Sequence, residues 1–218
     1  MIRLENISKT YTTNINQHVL DEINIEFHGP SINTIYGNSG TGKTTLLNII
    51  GLIDIPTAGS VYYENKKIEN YDLLSSFRLK NYGYVLQDHY LMPEFTVYDN
   101  LKLPMVINNN YLNADCYIDD LLDKFKLIHL KNKFPCSISA GEAQRFAVLR
   151  SIVNKPKIII ADEPTSNLDD NNAKILISLF EDLKIKYNYI IFVATHDKRF
   201  IEISDNSYKL DNKNLKKI

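Results

Sequence analysis

No stretch of this chain approaches the roughly 20 consecutive apolar residues that a membrane-crossing helix needs. Its most apolar runs, TLLNIIGLIDI, KIIIADEP and YIIFVATH, are short and broken by polar or helix-stopping residues. The opening MIRLENISKTY alternates in polarity and holds no apolar leader core. These features predict a chain that does not span a membrane by itself. Cysteine is scarce: Cys116 and Cys136 match neither a metal-ligand spacing nor a disulfide framework, which points to a reducing compartment. An excess of either charge is also missing, with 25 Lys and Arg against 26 Asp and Glu. That balance excludes a general polyanion binder, so nucleic acid is not an expected partner. The locally basic tail from Lys209 to Ile218 reads as a solvated end.

What is present is a regular alternation of strands and helices, with no internal repeat, low-complexity tract or long linker. Its 218 residues suffice for one domain with a substantial core. Strands are expected at IRLENI, HVLDEINIEF, SINTIY, Ser60 to Tyr63 and Tyr82 to Leu86, the last ending at Gln87. A helix is expected from Thr44 to Ile50. Between Asp88 and Ser137 the character turns helical: Ile118, Leu121, Leu122 and Phe125 recur on one face of an amphipathic helix. A helix from Gly141 to Asn154, a strand from Lys157 to Ala161, a helix near Asn171 to Lys186 and a strand from Tyr189 to Ala194 complete the chain. Continuous apolar strands alternating with helices predict an α/β fold whose mainly parallel sheet is covered on both faces. The expectation is one folding unit over 1–218, with an N-terminal antiparallel β subdomain and a helical subdomain inserted at about 88–154.

The segment Gly37-Asn38-Ser39-Gly40-Thr41-Gly42-Lys43-Thr44 matches the P-loop pattern and lies between an apolar strand and a helix. Its backbone amides and the helix N-terminus offer donors and partial positive charge to phosphates. These eight residues and Thr45 are the candidate nucleotide contacts, with Lys43 reaching the β- and γ-phosphates and the Thr44 hydroxyl placed on Mg²⁺. By itself the motif leaves kinase, GTPase, helicase and transporter ATPase open.

A second apolar strand, Ile158-Ile159-Ile160-Ala161, ends in Asp162-Glu163. Asp162 arrives at the carboxyl edge of the sheet, where it can hold the hydration shell of Mg²⁺. Glu163, at the turn, is the candidate for activating the attacking water, which argues for hydrolysis over mere binding. His196 ends another strand at the same edge and can donate to the γ-phosphate. His18, His28, His89 and His129 have no comparable setting. Ser139-Ala140-Gly141-Glu142 has the form of a capping box at a helix start. Such a start suggests a second anion contact, with a nucleotide of another copy as one candidate.

With these motifs in this order, the chain resembles the ATP-binding subunits of ABC transporters over roughly residues 2 to 210. SISAGEAQR (Ser137 to Arg145) is similar to the family signature, Gln87 to the Q-loop, Ser166-Asn167-Leu168-Asp169 to the D-loop and His196 to the switch histidine. The resemblance implies that Tyr11 stacks on adenine and that Gln87 approaches Mg²⁺ and relays the state of the site. It implies that Ser139, Gly141 and Glu142 touch the nucleotide of the opposite subunit, and that Asp169 helps connect the two sites. Two ATP would then be sandwiched in a homodimer, whose closure drives a separate membrane permease from the cytoplasmic face of the membrane.

Three positions depart from the family pattern: Ile138 for leucine, Ala140 for the first glycine of a pair, and Ala143 for a common glutamine. Of these, Ala140 adds a methyl group where backbone and phosphate approach. Within the family, GLIDIPTAG and EFTVYDNLKLPM are similar to the group that drives lipoprotein release, macrolide export and antimicrobial-peptide export. A similar ATPase that signals across the membrane in cell division, without transport, is the alternative reading. About 20 residues follow His196, too few for the C-terminal regulatory domain expected of many importers. The permease groove is expected around Gln87 to Leu103, where Tyr90, Leu91, Met92, Phe95 and Tyr98 are either interface or core.

Overall fold

The computed structural model describes residues 1–12, 16–109 and 114–218. The first strand, β1 (Ile2–Thr12), turns Ile2, Leu4 and Ile7 inward and pairs antiparallel with β2 (Asn16–Phe27). Every residue from Ser31 to Ile35 of β3 (Ser31–Tyr36) is buried, as expected of a strand covered on both faces. It runs straight into the phosphate loop and α1 (Lys43–Ile50). Next come β4 (Ala58–Tyr63), the two-residue β5 (Lys66–Lys67), α2 (Ser75–Asn81) and β6 (Tyr82–Val85). The helical segment holds α3 (Val97–Ile107), α4 (Ala114–Lys124) and α5 (Ala140–Ile152). The chain closes with β7 (Ile158–Asp162), α6 (Asp170–Tyr187), β8 (Ile190–Thr195), α7 (Arg199–Ile203), β9 (Asn206–Asp211) and β10 (Asn214–Lys217).

Two sheets result. One is antiparallel, in the order β2-β1-β4-β5. The other runs β10-β9-β3-β8-β7-β6 and is parallel throughout except at its β9–β10 edge. Successive residues of its strands serve opposite layers. Ile158 and Ile160 of β7 pack with Leu46, Leu47 and the inner face of the antiparallel sheet, while Ile159 and Ala161 pack with the helices on the other side. The expected amphipathic helix is α4, which buries Ile118, Leu121 and Leu122 and rests Phe125 on the same core.

The tail is more ordered than its charge suggested. Residues 206–217 form a hairpin in which Asp211 pairs with Asn214, with positive φ at both intervening residues, Asn212 (47°) and Lys213 (68°). This is the backbone of a two-residue primed turn. Tyr208 and Leu210 are buried beneath it while Lys209, Lys216 and Lys217 stay in solvent. Alternation over so few residues, with lysine on the outer face, resembles an unstructured basic end until β3 supplies the pairing edge. Helices α2 and α7 also escape a reading by periodicity, since seven and five residues are too few to display an apolar stripe.

Candidate functional site

The phosphate loop owes its shape to local geometry. Gly42 precedes α1 with φ of 102°, in the left-handed region, and a Cβ there would lie 2.7 Å from the Val19 side chain on β2. A side chain at this position is therefore excluded twice, by backbone conformation and by the β2 wall. Around the loop lies a cavity of about 280 Å³ lined by Tyr11, Gln17, Val19, Ser39, Gly40, Gly42, Lys43, Thr44, Thr45, Gln87 and Glu163. Sequence reasoning missed Gln17 and Val19. Gln17 arrives because β1 and β2 pair Tyr11 with Gln17, a register that no motif announces.

The chemistry-bearing side chains converge at the carboxyl ends of β3, β7 and β8. The Lys43 ammonium is buried, donates to the carbonyls of Gly37 (2.9 Å) and Asn38 (3.0 Å), and stands 3.3 Å from Glu163 Oε1. The other carboxylate oxygen, Oε2, is 2.9 Å from His196 Nδ1 and accepts from the His196 amide at 3.3 Å. Glu163 reaches both because its backbone leaves the strand at once, with φ of 45° and its N–H bonded to the Ala194 carbonyl. That break defeats the alternation that would send Asp162 and Glu163 to opposite faces.

Asp162 accepts the Thr44 hydroxyl proton on Oδ2 at 2.7 Å, so the loop threonine and the strand-end carboxylate meet. Its other oxygen, Oδ1, is buried without a hydrogen-bond partner among the described residues. Burial pushes the Asp162 carboxyl up despite the Thr44 hydrogen bond. A buried, underserved carboxylate oxygen beside a hydroxyl fits a hydrated divalent cation, which would offset that desolvation.

Asn38 and Thr41 shape the loop: the Thr41 amide and hydroxyl both donate to the Asn38 carbonyl. The signature-like residues behave differently. Ser139, Gly141 and Glu142 are not among the residues lining the cavity of their own chain. Ser139 caps α5 in a full capping box: its Oγ accepts from the Glu142 amide and Glu142 Oε2 accepts from the Ser139 amide. Two donors are thereby used; at the helix start the exposed Ala140 amide is left for an outside anion, while Gly141 is buried against the Asn172 side chain. Ala140 is exposed at the first helical position, so its methyl group meets no obstacle within the chain.

Two anchoring networks have no sequence signal beyond residue type. Buried Gln144 donates to the Leu86 carbonyl, and Arg150 donates to the carbonyls of His89 (2.8 Å) and Tyr90 (2.6 Å). Helix α5 thus holds the main chain on both sides of Gln87. Beyond His196, Arg199 grips Asp197 and reaches Asp170 at 2.8 Å, while Thr165 donates to Asp197. The loop after β8 is tied in this way to the start of α6, where Asp169 is the N-cap.

The five residues left between interface and core divide. Leu91 is buried and Tyr98 packs on the core, whereas Tyr90, Met92 and Phe95 are exposed. A cavity of about 390 Å³ lies between α2 and β6 on one side and α3 and α5 on the other. Its walls include Arg78, Leu79, Tyr84, Leu86, Pro104 and Arg150, and no residue of 87–103.

Comparison with known proteins places this geometry. The model of the ABC transporter family matches residues 20–166. The lipoprotein-releasing system ATP-binding protein LolD of Cytophaga hutchinsonii is 39% identical over 208 residues, 94% of each chain. Its counterpart in Rickettsia conorii is 38% identical over 216 residues, 97% of this chain and 96% of that one. Among solved structures, the dimeric ATP-binding cassette MJ0796 in a post-hydrolysis state with ADP and phosphate superposes with a TM-score of 0.89. It is 30% identical, with 100% of this chain and 98% of that one covered.

Proposed function

This chain belongs to the ABC transporter family as an ATP-hydrolysing, transport-coupled subunit, and from that premise we propose that it powers a separate membrane permease that releases lipoproteins. The observation that carries the hydrolytic part is the Lys43–Glu163–His196 chain at the mouth of the phosphate loop. Such an arrangement is suited to bond cleavage: a phosphate oxygen takes over Lys43, which frees Glu163 to orient and deprotonate the attacking water. His196 donates to the γ-phosphate from the opposite side of that carboxylate. Thr44 and Asp162 would hold Mg²⁺, with Gln87 approaching it, and the ion would neutralise charge developing on the phosphates. Tyr11 serves as the platform for the adenine ring.

Because Ser139, Gly141 and Glu142 stand apart from the cavity of their own chain, they are assigned to the nucleotide of a second copy, in an ATP-dependent homodimer. The dimeric state of the structurally similar cassette supports this reading. Asp169 would connect the two sites through α6. Among the described residues no helix is long and apolar enough to cross a membrane. In this reading the chain works at the cytoplasmic face through its permease, whose cytoplasmic segment would dock in the cavity flanked by Leu86, Pro104 and Arg150. The single unit over 1–218, with helices inserted at about 88–154, lets that docking reach Gln87 through α5. Lipoprotein release is favoured over the broader set of peptide and drug-like cargo by the named activity of the relatives.

The test is recovery of the partner. Tagged chain extracted gently from its native membrane should carry a permease with a large extracytoplasmic domain, identified by mass spectrometry. If no membrane protein accompanies it, with ATP or without nucleotide, the permease reading fails and the ATPase alone remains.

In this reading the Ala140 methyl group acts at the contact between subunits. Ala140→Gly is expected to raise the ATPase rate at low subunit concentration by about two- to fivefold, equivalent to about 1 kcal/mol or less at the interface. An unchanged concentration dependence would show that the methyl group is accommodated.

A further inference from the structure

Lys9 lies on β1 two residues before Tyr11, so strand alternation brings the two side chains to one face. It is only 8% exposed, and an ammonium that deep needs partners for its three protons. It donates to Asp54 Oδ1 at 2.6 Å and to the Ile55 carbonyl at 2.7 Å. The remaining direction faces the Tyr11 ring, whose centroid is 4.7 Å from Nζ, within cation–π range. Asp54 in turn holds the far end of Tyr11: Oδ2 accepts the phenol proton at 2.7 Å. Burial alone would raise the Asp54 carboxyl, but hydrogen bonds from Lys9, Tyr11 and the Ile55 amide outweigh it and hold the carboxyl below its ordinary value. Tyr11 is thus fixed at its tip and covered on one face by a cation, at the rim of the phosphate-loop cavity.

We infer that Lys9 and Asp54 are positioning residues for the nucleotide base, a clamp that fixes Tyr11 with one face occupied and so selects a purine on the other. This rests on the reading of Tyr11 as the base platform. A ring already held loses no rotamer freedom when the base arrives, which lowers the entropic cost of binding. The ammonium also draws electron density from the covered face, favouring an electron-rich partner on the open one. Purines cover more of that face than pyrimidines, so the clamp acts on base preference and leaves the phosphate chemistry alone. Neither residue touches the reacting atoms.

The experiment compares ATP with CTP as substrates of the full chain carrying Lys9→Met, Lys9→Arg, Asp54→Asn or Tyr11→Leu. Lys9→Met keeps the length of the side chain and removes the charge. It is expected to raise the half-saturating ATP concentration about tenfold, within the range of a lost base–aromatic stack, with little change for CTP and with the effect outside kcat. The ratio of kcat/KM for ATP over CTP should fall by about the same factor, and Lys9→Arg, whose guanidinium also stacks on a ring, should restore it. This ratio does not depend on the folded fraction, because both substrates sample the same active molecules. If Lys9→Met does not fold, Asp54→Asn reads the same ratio with a smaller shift in the same direction. Equal losses for ATP and CTP, or a loss confined to kcat, would overturn the clamp and leave Lys9 a structural residue. If Tyr11→Leu leaves the ratio unchanged, the platform reading itself fails. A fall with Tyr11→Leu but not with either clamp variant defeats the clamp alone.

Discussion

Glu163→Gln should lower ATP hydrolysis by about 10²- to 10⁴-fold, the usual contribution of a positioned general base, or about 3–5 kcal/mol of barrier. The substitution keeps the shape of the side chain and its hydrogen-bonding reach toward His196. What it removes is the basic carboxylate, whose Oε1 stands 3.3 Å from Lys43 and whose Oε2 stands 2.9 Å from His196. ATP affinity should survive, because the loop amides, Lys43 and Tyr11 are untouched. With hydrolysis blocked and binding intact, the chain should accumulate as an ATP-dependent dimer. Phosphate release, nucleotide titration and light scattering with and without ATP measure the three quantities. A rate loss below about tenfold would mean that another group activates the water, since a true base contributes more than that.

The second large effect is structural. Gly83 lies in β6 against α5, and a Cβ there would sit 2.2 Å from the Ser151 carbonyl oxygen and 2.9 Å from its carbon. Those are main-chain atoms of the facing helix, so no side-chain rotation relieves the clash and α5 itself must move. Gly83→Ala is expected to cost about 2–3 kcal/mol or more, the scale of overpacking in a dense core. For a chain of this size that corresponds to a melting temperature lower by roughly 5–10 °C. Function should suffer as well, because α5 carries Gln144 and Arg150, which hold the main chain on both sides of Gln87. Chemical denaturation with ATPase assays on the folded fraction separates the two effects. An unchanged midpoint would show that the β6–α5 spacing is soft.

The motifs that carry chemistry were legible because each is a short run with a local mechanism. Gly37 to Thr44 has the phosphate-loop pattern between a strand and a helix, and an apolar strand ending in Asp162-Glu163 delivers acid to a sheet edge. The capping box at Ser139 and Glu142 was equally local, and the structure forms both of its hydrogen bonds. Continuous apolar runs implied a parallel sheet covered on both faces. What escaped was short or needed a distant partner: α2, α7, and a terminal hairpin whose lysines look like a solvated tail until β3 offers it an edge.

Residue type and short spacing alone determined the phosphate loop, the acidic strand end and the helix cap, because backbone geometry within a few residues decides them. Tertiary structure decided what lies opposite. It alone brought Glu163 between Lys43 and His196, through a left-handed turn at the end of β7. It set Gln17 across from Tyr11 by strand register, and sank Lys9 onto Asp54 over a separation of 45 residues. Contacts of that range depend on how sheets and helices stack. They acquire their energies only when burial removes water from both partners at once.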